Sequence, residues 1–318
     1  MSRYVIDKKL LDENIEIVKQ KAGVPLIGVV KGNGYGFGIK EITKILVEHG
    51  IKTFAVTEVT DLPILREILT DEDILVMRST CIKDECREIA KYGATATIGS
   101  LQAGQAMSEV ATEMGVTVKC HLKIDTGMGR YGFMPSEIED AIKCYSLPNL
   151  EFTGAYTHFS SAFRNHDLTK AQLEMFKDTM AKIKEKVGNV GILHASNSPA
   201  LLNVEDVCLD TVRIGSAFTG RVITKSKSGL HRLGSLEAEV VDVKTVPKGY
   251  FVGYNATYQT KRETKIAIVP IGHYDGFGLT KEKEIITFRY VLSVFKSFLK
   301  KKQMYVKING RMYHVIGE

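Results

Sequence analysis

No stretch of the sequence reaches the ~18 uncharged apolar residues of a membrane-spanning helix, which predicts a protein with no membrane partner. Residues 1–23 carry charges throughout. They hold neither an apolar core of signal-peptide length nor a cleavage site, so a cytoplasmic location is expected. Cysteine is sparse, and its count of five is odd. No CxxC pair suggests zinc or a redox dithiol, so reduced thiols and no metal site are expected. The formal charge of +6 comes from basic residues spread along most of the chain, whereas a nucleic-acid surface would cluster them. Internal repeats and low-complexity tracts are also absent. What remains is an ordinary globular composition, 44% hydrophobic and 25% charged, in 318 residues. That length suits one large barrel plus a smaller module.

Short β-branched runs recur at residues 26–31, 53–57, 73–77, 95–98, 118–125, 152–158, 190–194 and 208–214. Segments with apolar residues at helical spacing lie between them, for example 38–49, 61–69, 83–91 and 169–187. Eight strand–helix units over about 220 residues match a (β/α)8 TIM-type barrel in count and size. A doubly wound open sheet could hold alternating units without requiring eight. From about Leu233 the texture changes. Residues 236–244 and 264–271 read as strands with Pro/Gly punctuation between them and no helix, which predicts a smaller, mostly β C-terminal domain. The expected division is 1–228 for the barrel and 229–318 for the second domain. A helical pattern runs through Ile285, Phe288, Val291, Leu292, Phe295, Phe298 and Leu299, and ends in Lys300, Lys301 and Lys302. A further strand at 305–308 turns at Asn309-Gly310.

In a barrel, catalytic groups gather where strands end. The first run ends in Lys31, followed by Gly32-Asn33-Gly34-Tyr35-Gly36. A poorly solvated lysine has a lowered pKa and can serve as an amine nucleophile, and the glycines admit a bulky ligand. On the strand alone, a lysine that merely leaves the barrel rim is the more frequent case. In the fifth run, alternation puts His121, Lys123 and Asp125 on one face, where they must form a paired network or a site. The loop after it presents Arg130. His158 ends the sixth run, His194 through Asn197 and Ser198 follow the seventh, and Arg213, Gly215 and Ser216 follow the eighth. Loops after strands 7 and 8 are the usual phosphate cradle of such a barrel. Each of these residues alone reads equally as a core polar group or a cap. Together they favour a phosphate-bearing cofactor.

The stretch from Val29 to Gly38, VVKGNGYGFG, resembles the cofactor-lysine motif of alanine racemases, whose usual form is VVKANAYGHG. The resemblance continues through 121–133, 156–159, 194–200, 213–220, Gly253-Tyr254 and 270–276, in family order, to about residue 278. It implies a homodimeric racemase of a small amino acid, alanine by default, that uses pyridoxal 5'-phosphate bound as a Schiff base to Lys31. Tyr35, Asn197, Ser198, Gly215 and Ser216 would lie around the phosphate, with His158 beside the ring. Arg213 would face the pyridine nitrogen, with His194 behind it. Arg130 would hold the cofactor or the substrate carboxylate, and Lys123 matches the lysine that is carbamylated in the family. The family's GYADG reads Gly272-His273-Tyr274-Asp275-Gly276 here, so the resemblance implies His273 or its neighbour Tyr274 as the second base, at the interface of the dimer. Family chains continue past the position of Gly317 with a Met-Asp segment and a later tyrosine, so an incomplete second domain is expected. A cofactor-binding relative with little activity, or a racemase of serine or a basic amino acid, are the other readings.

Overall fold

The computed structural model describes residues 2–222, 224, 228–277 and 304–317. The chain forms two compact units, Ile6–Leu233 and a second made of Met1–Val5 with Gly234–Glu318. The helical pattern expected at 285–299, with Lys300–Lys302, lies outside the described residues. Among the described residues, no helix is long and apolar enough to cross a membrane.

A short strand, β1 (Arg3–Ile6), precedes the barrel. The barrel strands are β2 (Leu26–Val29), β3 (Thr53–Val56), β4 (Asp73–Val76), β5 (Ala96–Ile98), β6 (Val118–Lys123), β7 (Leu150–Tyr156), β8 (Ile192–His194) and β9 (Val212–Ile214). They pair in parallel in two groups of four, β4-β3-β2-β9 and β5-β6-β7-β8. The parallel bridges Leu75↔Thr95 and His194↔Thr211 join the groups and close the ring. The parallel (β/α)8 barrel expected from the sequence is therefore present, with several strands shorter than their hydrophobic runs.

Helices cover the outside. The Lys8–Ala22 helix starts on the Asp7 side chain, which accepts from the Leu10 N–H, and ends at Gly23 with φ 62°. Its buried Leu11, Ile15 and Val18 fall at helical spacing and join the main core between helices and sheet. Asn14, fully buried on the same face, donates to the carbonyls of Phe218 (2.9 Å) and His231 (2.7 Å) and accepts from the His231 N–H. It ties the first helix to the chain leaving the barrel.

Inside the ring the apolar packing is small: Ile27, Val29, Ala55, Leu75 and Tyr156. Register explains what fills the rest. Residues opposite each other on paired strands project to the same side. Ile27 lies beside Arg213, Thr97 beside His121, Lys123 beside Tyr156, and Tyr156 in turn beside His194. The barrel interior is thus unusually polar.

In the second unit the expected strand at 236–244 is two strands with different partners. Gly234–Glu237 (β10) pairs with β1, and Asp242–Val246 (β11) pairs antiparallel with Thr264–Ile268 (β14). The latter stops short of Pro270, which lacks the N–H a ladder needs. Hairpins β12 (Phe251–Val252) with β13 (Tyr258–Gln259) and β15 (Tyr305–Ile308) with β16 (Arg311–His314) complete the described part.

Asn14→Leu keeps the volume but strands the buried Phe218 carbonyl and leaves the part-buried His231 carbonyl and amide without their partner. Each unsatisfied group costs about 1–3 kcal/mol. A loss of at least about 3 kcal/mol is expected in denaturant unfolding, and a shift under about 1 kcal/mol would refute the clamp.

Candidate active site

At the carboxyl end of the barrel strands lies a cavity of about 230 Å³ lined by Lys31, Thr57, Glu58, Met77, Arg78, Lys123, Arg130, Tyr131, Tyr156 and His158. Every lining residue belongs to the barrel unit. Lys31 enters it because β2 ends at Val29 and the chain then makes a left-handed turn. Gly32 (φ 61°, ψ 48°), Asn33 (52°, 50°) and Gly34 (62°, 40°) all sit in the left-handed helical region, followed by Tyr35 at φ 58°. Glycine occupies this region without the Cβ penalty, and asparagine tolerates it. The Asn33 side chain locks the turn by accepting from the Ile39 N–H at 3.0 Å. Burial, and then the nearby Arg130, lower the Lys31 pKa.

Lys123 is the most perturbed of the cavity's lysines. It is buried, with its ammonium 4.9 Å from the Tyr156 ring centre. Burial and then the charges of Arg213 and Arg130 bring its pKa down to about 7. Asp125, expected to share its face, instead builds the loop beyond the strand. Its carboxylate accepts from the N–H groups of Gly127 (2.9 Å), Met128 (2.7 Å) and Arg130 (3.1 Å). Burial alone would raise its pKa, but these amides outweigh it and hold the group ionised. Gly132 then turns back at φ 118°, where a Cβ would meet the Asp125 N at 2.7 Å. The result is a fixed loop carrying Arg130 at the cavity.

Gln172 clamps this loop to the next. Its amide donates to the Thr126 carbonyl at 3.1 Å, while its oxygen accepts from the Ser160 N–H at 3.1 Å, just beyond His158. Sequence alone assigns Gln172 no role, since a polar residue on a surface helix carries no signal of its own.

Arg213 is 2% exposed and, among the described residues, has no carboxylate partner. Its Nη1 donates to His194 Nδ1 (2.6 Å) and the His194 carbonyl (3.2 Å). Its Nη2 donates to the carbonyls of Thr157 (2.7 Å) and Ala195 (2.9 Å). A longer contact of 3.4 Å reaches His158 Nδ1. Burial lowers its pKa to about 10, so it stays charged at neutral pH. Burial and then this cation keep His158 and His194 neutral. Among the described residues, Arg213 Nε–H has no hydrogen-bond partner.

Past β8 and β9 two hydroxyls are set up as donors. The Ser198 Oγ accepts from the N–H groups of Gly215 and Ala217, each at 3.2 Å. With both lone pairs engaged, its own proton must point elsewhere. Tyr35, whose pKa burial raises to about 12, likewise keeps its proton to give. A Cβ at Gly215 would collide with the Tyr35 hydroxyl, so only glycine leaves this cradle open. Asn197 caps the Ser198–Asn203 helix by accepting from Ala200 N–H at 3.0 Å, which leaves its Nδ2 amide for any ligand. The donor set suits a phosphate at one end and a basic ring nitrogen facing Arg213 Nε at the other, as pyridoxal phosphate carries.

His273 and Tyr274 belong to the second unit, on a single turn at His273–Asp275. The Asp275 carboxylate accepts from the Gly272 N–H (3.1 Å) and the Ser2 hydroxyl (2.9 Å), and Tyr274 is fully exposed. The same unit holds a residue that the sequence reading left without a role. Tyr254, 84% exposed, projects from a turn in which Gly253, Asn255 and Ala256 have φ of 82°, 55° and 53°. An alanine in that region is strained. Only the Gly-Tyr pair was visible in sequence.

Lys123 has a consequence for stability. Its folded pKa is about 7 against 10.5 unperturbed, so between these values the unfolded chain binds more protons and stability rises with pH. Below about pH 7 the full cost of burying the ammonium is present; above about 10.5 it is gone. In CO2-free buffer, Lys123→Met is therefore expected to stabilise the cofactor-free protein at and below neutrality, with the gain vanishing in alkali. A gain independent of pH would contradict the assignment.

Residues 6–222 match the family model described as alanine racemase, N-terminal domain, and residues 233–318 the model of the alanine racemase C-terminal domain. An alanine racemase of Methanococcus maripaludis is 33% identical over 282 residues, covering 86% of this chain and 75% of that one. One of Desulfosudis oleivorans is 32% identical over 290 residues, covering 85% and 74%. Among solved structures, an alanine racemase of Clostridium difficile 630 superposes with TM-score 0.86 at 27% identity, covering 99% of this chain and 80% of that one. That of E. faecalis gives 0.81 at 26%, covering 99% and 81%. With both family models matched along nearly its whole length, the chain belongs to the alanine racemase family.

Proposed function

We propose that the protein interconverts L- and D-alanine, with pyridoxal 5'-phosphate bound at Lys31 in the barrel cavity. The observation that carries this reading is Lys31 sharing one cavity with Lys123, Arg130 and His158, while Arg213 keeps one N–H donor unused. When bound, the cofactor makes the α-proton of an amino acid acidic enough for side-chain bases to remove.

The chain's own residues divide the remaining work. Tyr35, Ser198 and the backbone at Gly215 and Ser216 hold the phosphate; Asn197 offers its free amide and His158 its neutral ring. Arg213 donates to the ring nitrogen and cannot give up its proton, so that nitrogen stays a hydrogen-bond acceptor. His194 orients Arg213. Lys31 Nζ, its pKa lowered by burial, takes or returns the α-proton on one face. Arg130 holds the substrate carboxylate. Lys123, half neutral near pH 7, is the amine that can be carboxylated by CO2, which would give Arg130 an anionic partner.

Inversion requires a second proton-transfer group on the opposite face, because one base returns the proton to the side it left. Its source is the β-rich unit of a second copy, in a homodimer. That unit exposes Val241, Phe251, Tyr254, Tyr305 and Met312, apolar surface suited to an interface. His273 and Tyr274 are the candidates from the sequence, and the strained turn favours Tyr254 over both.

Borohydride reduction and peptide mapping are expected to place the cofactor adduct on Lys31, with purified protein inverting L-alanine in a chiral assay. An adduct on another lysine, or cofactor binding without inversion, would overturn the reading.

A complementation experiment tests the dimer and the second base together. Lys31→Ala and Tyr254→Phe are each expected to lose at least about a hundredfold in racemisation. Mixed dimers should regain activity, because one of their two sites is intact. Full activity in Tyr254→Phe with loss in His273→Phe or Tyr274→Phe would move the role to that residue. No recovery on mixing would place both groups on one chain.

A further inference from the structure

A second imidazole stands behind His194 in the barrel. His121 Nδ1 lies 2.9 Å from His194 Nε2, and the two rings tilt at 60° with centres 5.0 Å apart. The proton positions follow from the far end of the row. Arg213 has only donors, and its Nη1 is 2.6 Å from His194 Nδ1, so that nitrogen presents a lone pair. Neutral His194 then carries its proton on Nε2. The facing nitrogen of His121 must accept, which puts the His121 proton on its own Nε2.

Two features of the backbone make room for this ring. The β6–β7 register shifts between Cys120 and His121, and the residue opposite His121 is Gly154. A Cβ on Gly154 would come within 2.8 Å of His121 Nε2 and 3.0 Å of its Cδ2. On its other side, His194 stacks on Tyr156 at 4.8 Å and 8°, while the Tyr156 hydroxyl is bonded to Thr97 and the Met77 carbonyl. The stack fixes the plane of His194, and within that plane, among the described residues, only His121 receives its N–H.

We propose that His121 is a positioning residue for Arg213: by accepting the His194 N–H it holds His194 in the single tautomer that can receive Arg213 Nη1, and so aims Arg213 Nε. Without that acceptor a buried N–H is left unpaired, and an alternative ring orientation that withdraws Nδ1 from Arg213 becomes competitive. The inference rests on the proposed function in one respect, that Arg213 Nε faces the cofactor ring nitrogen.

The test combines a tautomer measurement with two substitutions. In holoenzyme carrying 15N-labelled histidine, proton–nitrogen NMR near neutral pH is expected to show His194 and His121 both neutral and both protonated on Nε2. His121→Asn places an amide oxygen where Nδ1 was and should keep the His194 tautomer, the visible cofactor band and the kcat within about threefold. His121→Leu should shift the cofactor band and lower kcat about tenfold per bound cofactor while KM changes less than about twofold, as expected when a donor is misaimed. A His194 protonated on Nδ1 in the unmodified protein would overturn the proposal, whether or not the variants fold. So would Asn and Leu variants with the same band and kcat, since a packing role would not separate them. Correct tautomers in a protein that does not racemise would support the positioning role and count only against the racemase reading.

Discussion

The guanidinium of Arg213 is a full charge in the barrel interior with, among the described residues, no carboxylate beside it. Burying a lone cation is costly, and proteins usually meet the cost with an opposite charge. Here carbonyl oxygens, imidazole lone pairs and the Tyr156 ring, 4.8 Å away, take that place. None of these neutralises the charge, so its field reaches every titratable group nearby. His158 and His194 are held neutral by burial and then by Arg213, and His121 is brought down to about 4 for the same two reasons. Lys123 loses its proton far more readily than an ordinary lysine. Burial, reinforced by this one uncompensated cation, therefore sets the protonation of the interior and makes it a place where negative charge is welcome.

Such an interior has little apolar surface to hold it together, and the stability of the unit comes from outside the ring. The main core runs between strands and helices, with Leu11, Ile15, Leu46, Phe54, Ile74 and Phe176 fully buried. Polar clamps then fix what hydrophobic contact cannot direct. Asn14 anchors the first helix, Asp125 folds the Arg130 loop, and Gln172 ties that loop to the one after His158. Each satisfies several backbone groups with one side chain, which fixes direction as well as distance.

This division explains how much could be read in the sequence. The barrel strands were legible because both faces of a parallel strand are covered and leave continuous apolar runs. Lys31, Ser198 and Arg213 stood out as polar residues at strand ends, though each alone also read as an ordinary polar group, and Tyr35 stood out only through the family resemblance. Strand β1 was not, because its Arg3-Tyr4-Val5-Ile6 is too short to stand out. Nor was the single strand expected at 236–244 correct, since the partners that split it, β1 and β14, lie far away in sequence. Asp125 shared its face with Lys123 by alternation, yet the strand ends at Lys123 and its carboxylate serves the loop. Gly154 carried no meaning until the ring opposite it was known.

Backbone conformation marks positions that alternation and composition leave silent. Among the described residues, seven non-glycines have positive φ: Asn33, Tyr35, Asn149, Asp206, Asn255, Ala256 and Asn309. Five are Asn or Asp, whose short polar side chains tolerate the left-handed region in ordinary turns. The two that do not, Tyr35 and Ala256, pay for it with strain of roughly 1–2 kcal/mol each. Tyr35 closes the turn that presents Lys31, and Ala256 follows the turn that presents Tyr254. Strain of this kind persists only where the surroundings over-determine it, and it gathers where a side chain must be aimed. Both sites fall beside a group proposed to move the α-proton, one on each unit of the chain. A two-base reaction places that demand on two separate pieces of backbone, because each base must meet the same carbon from an opposite side.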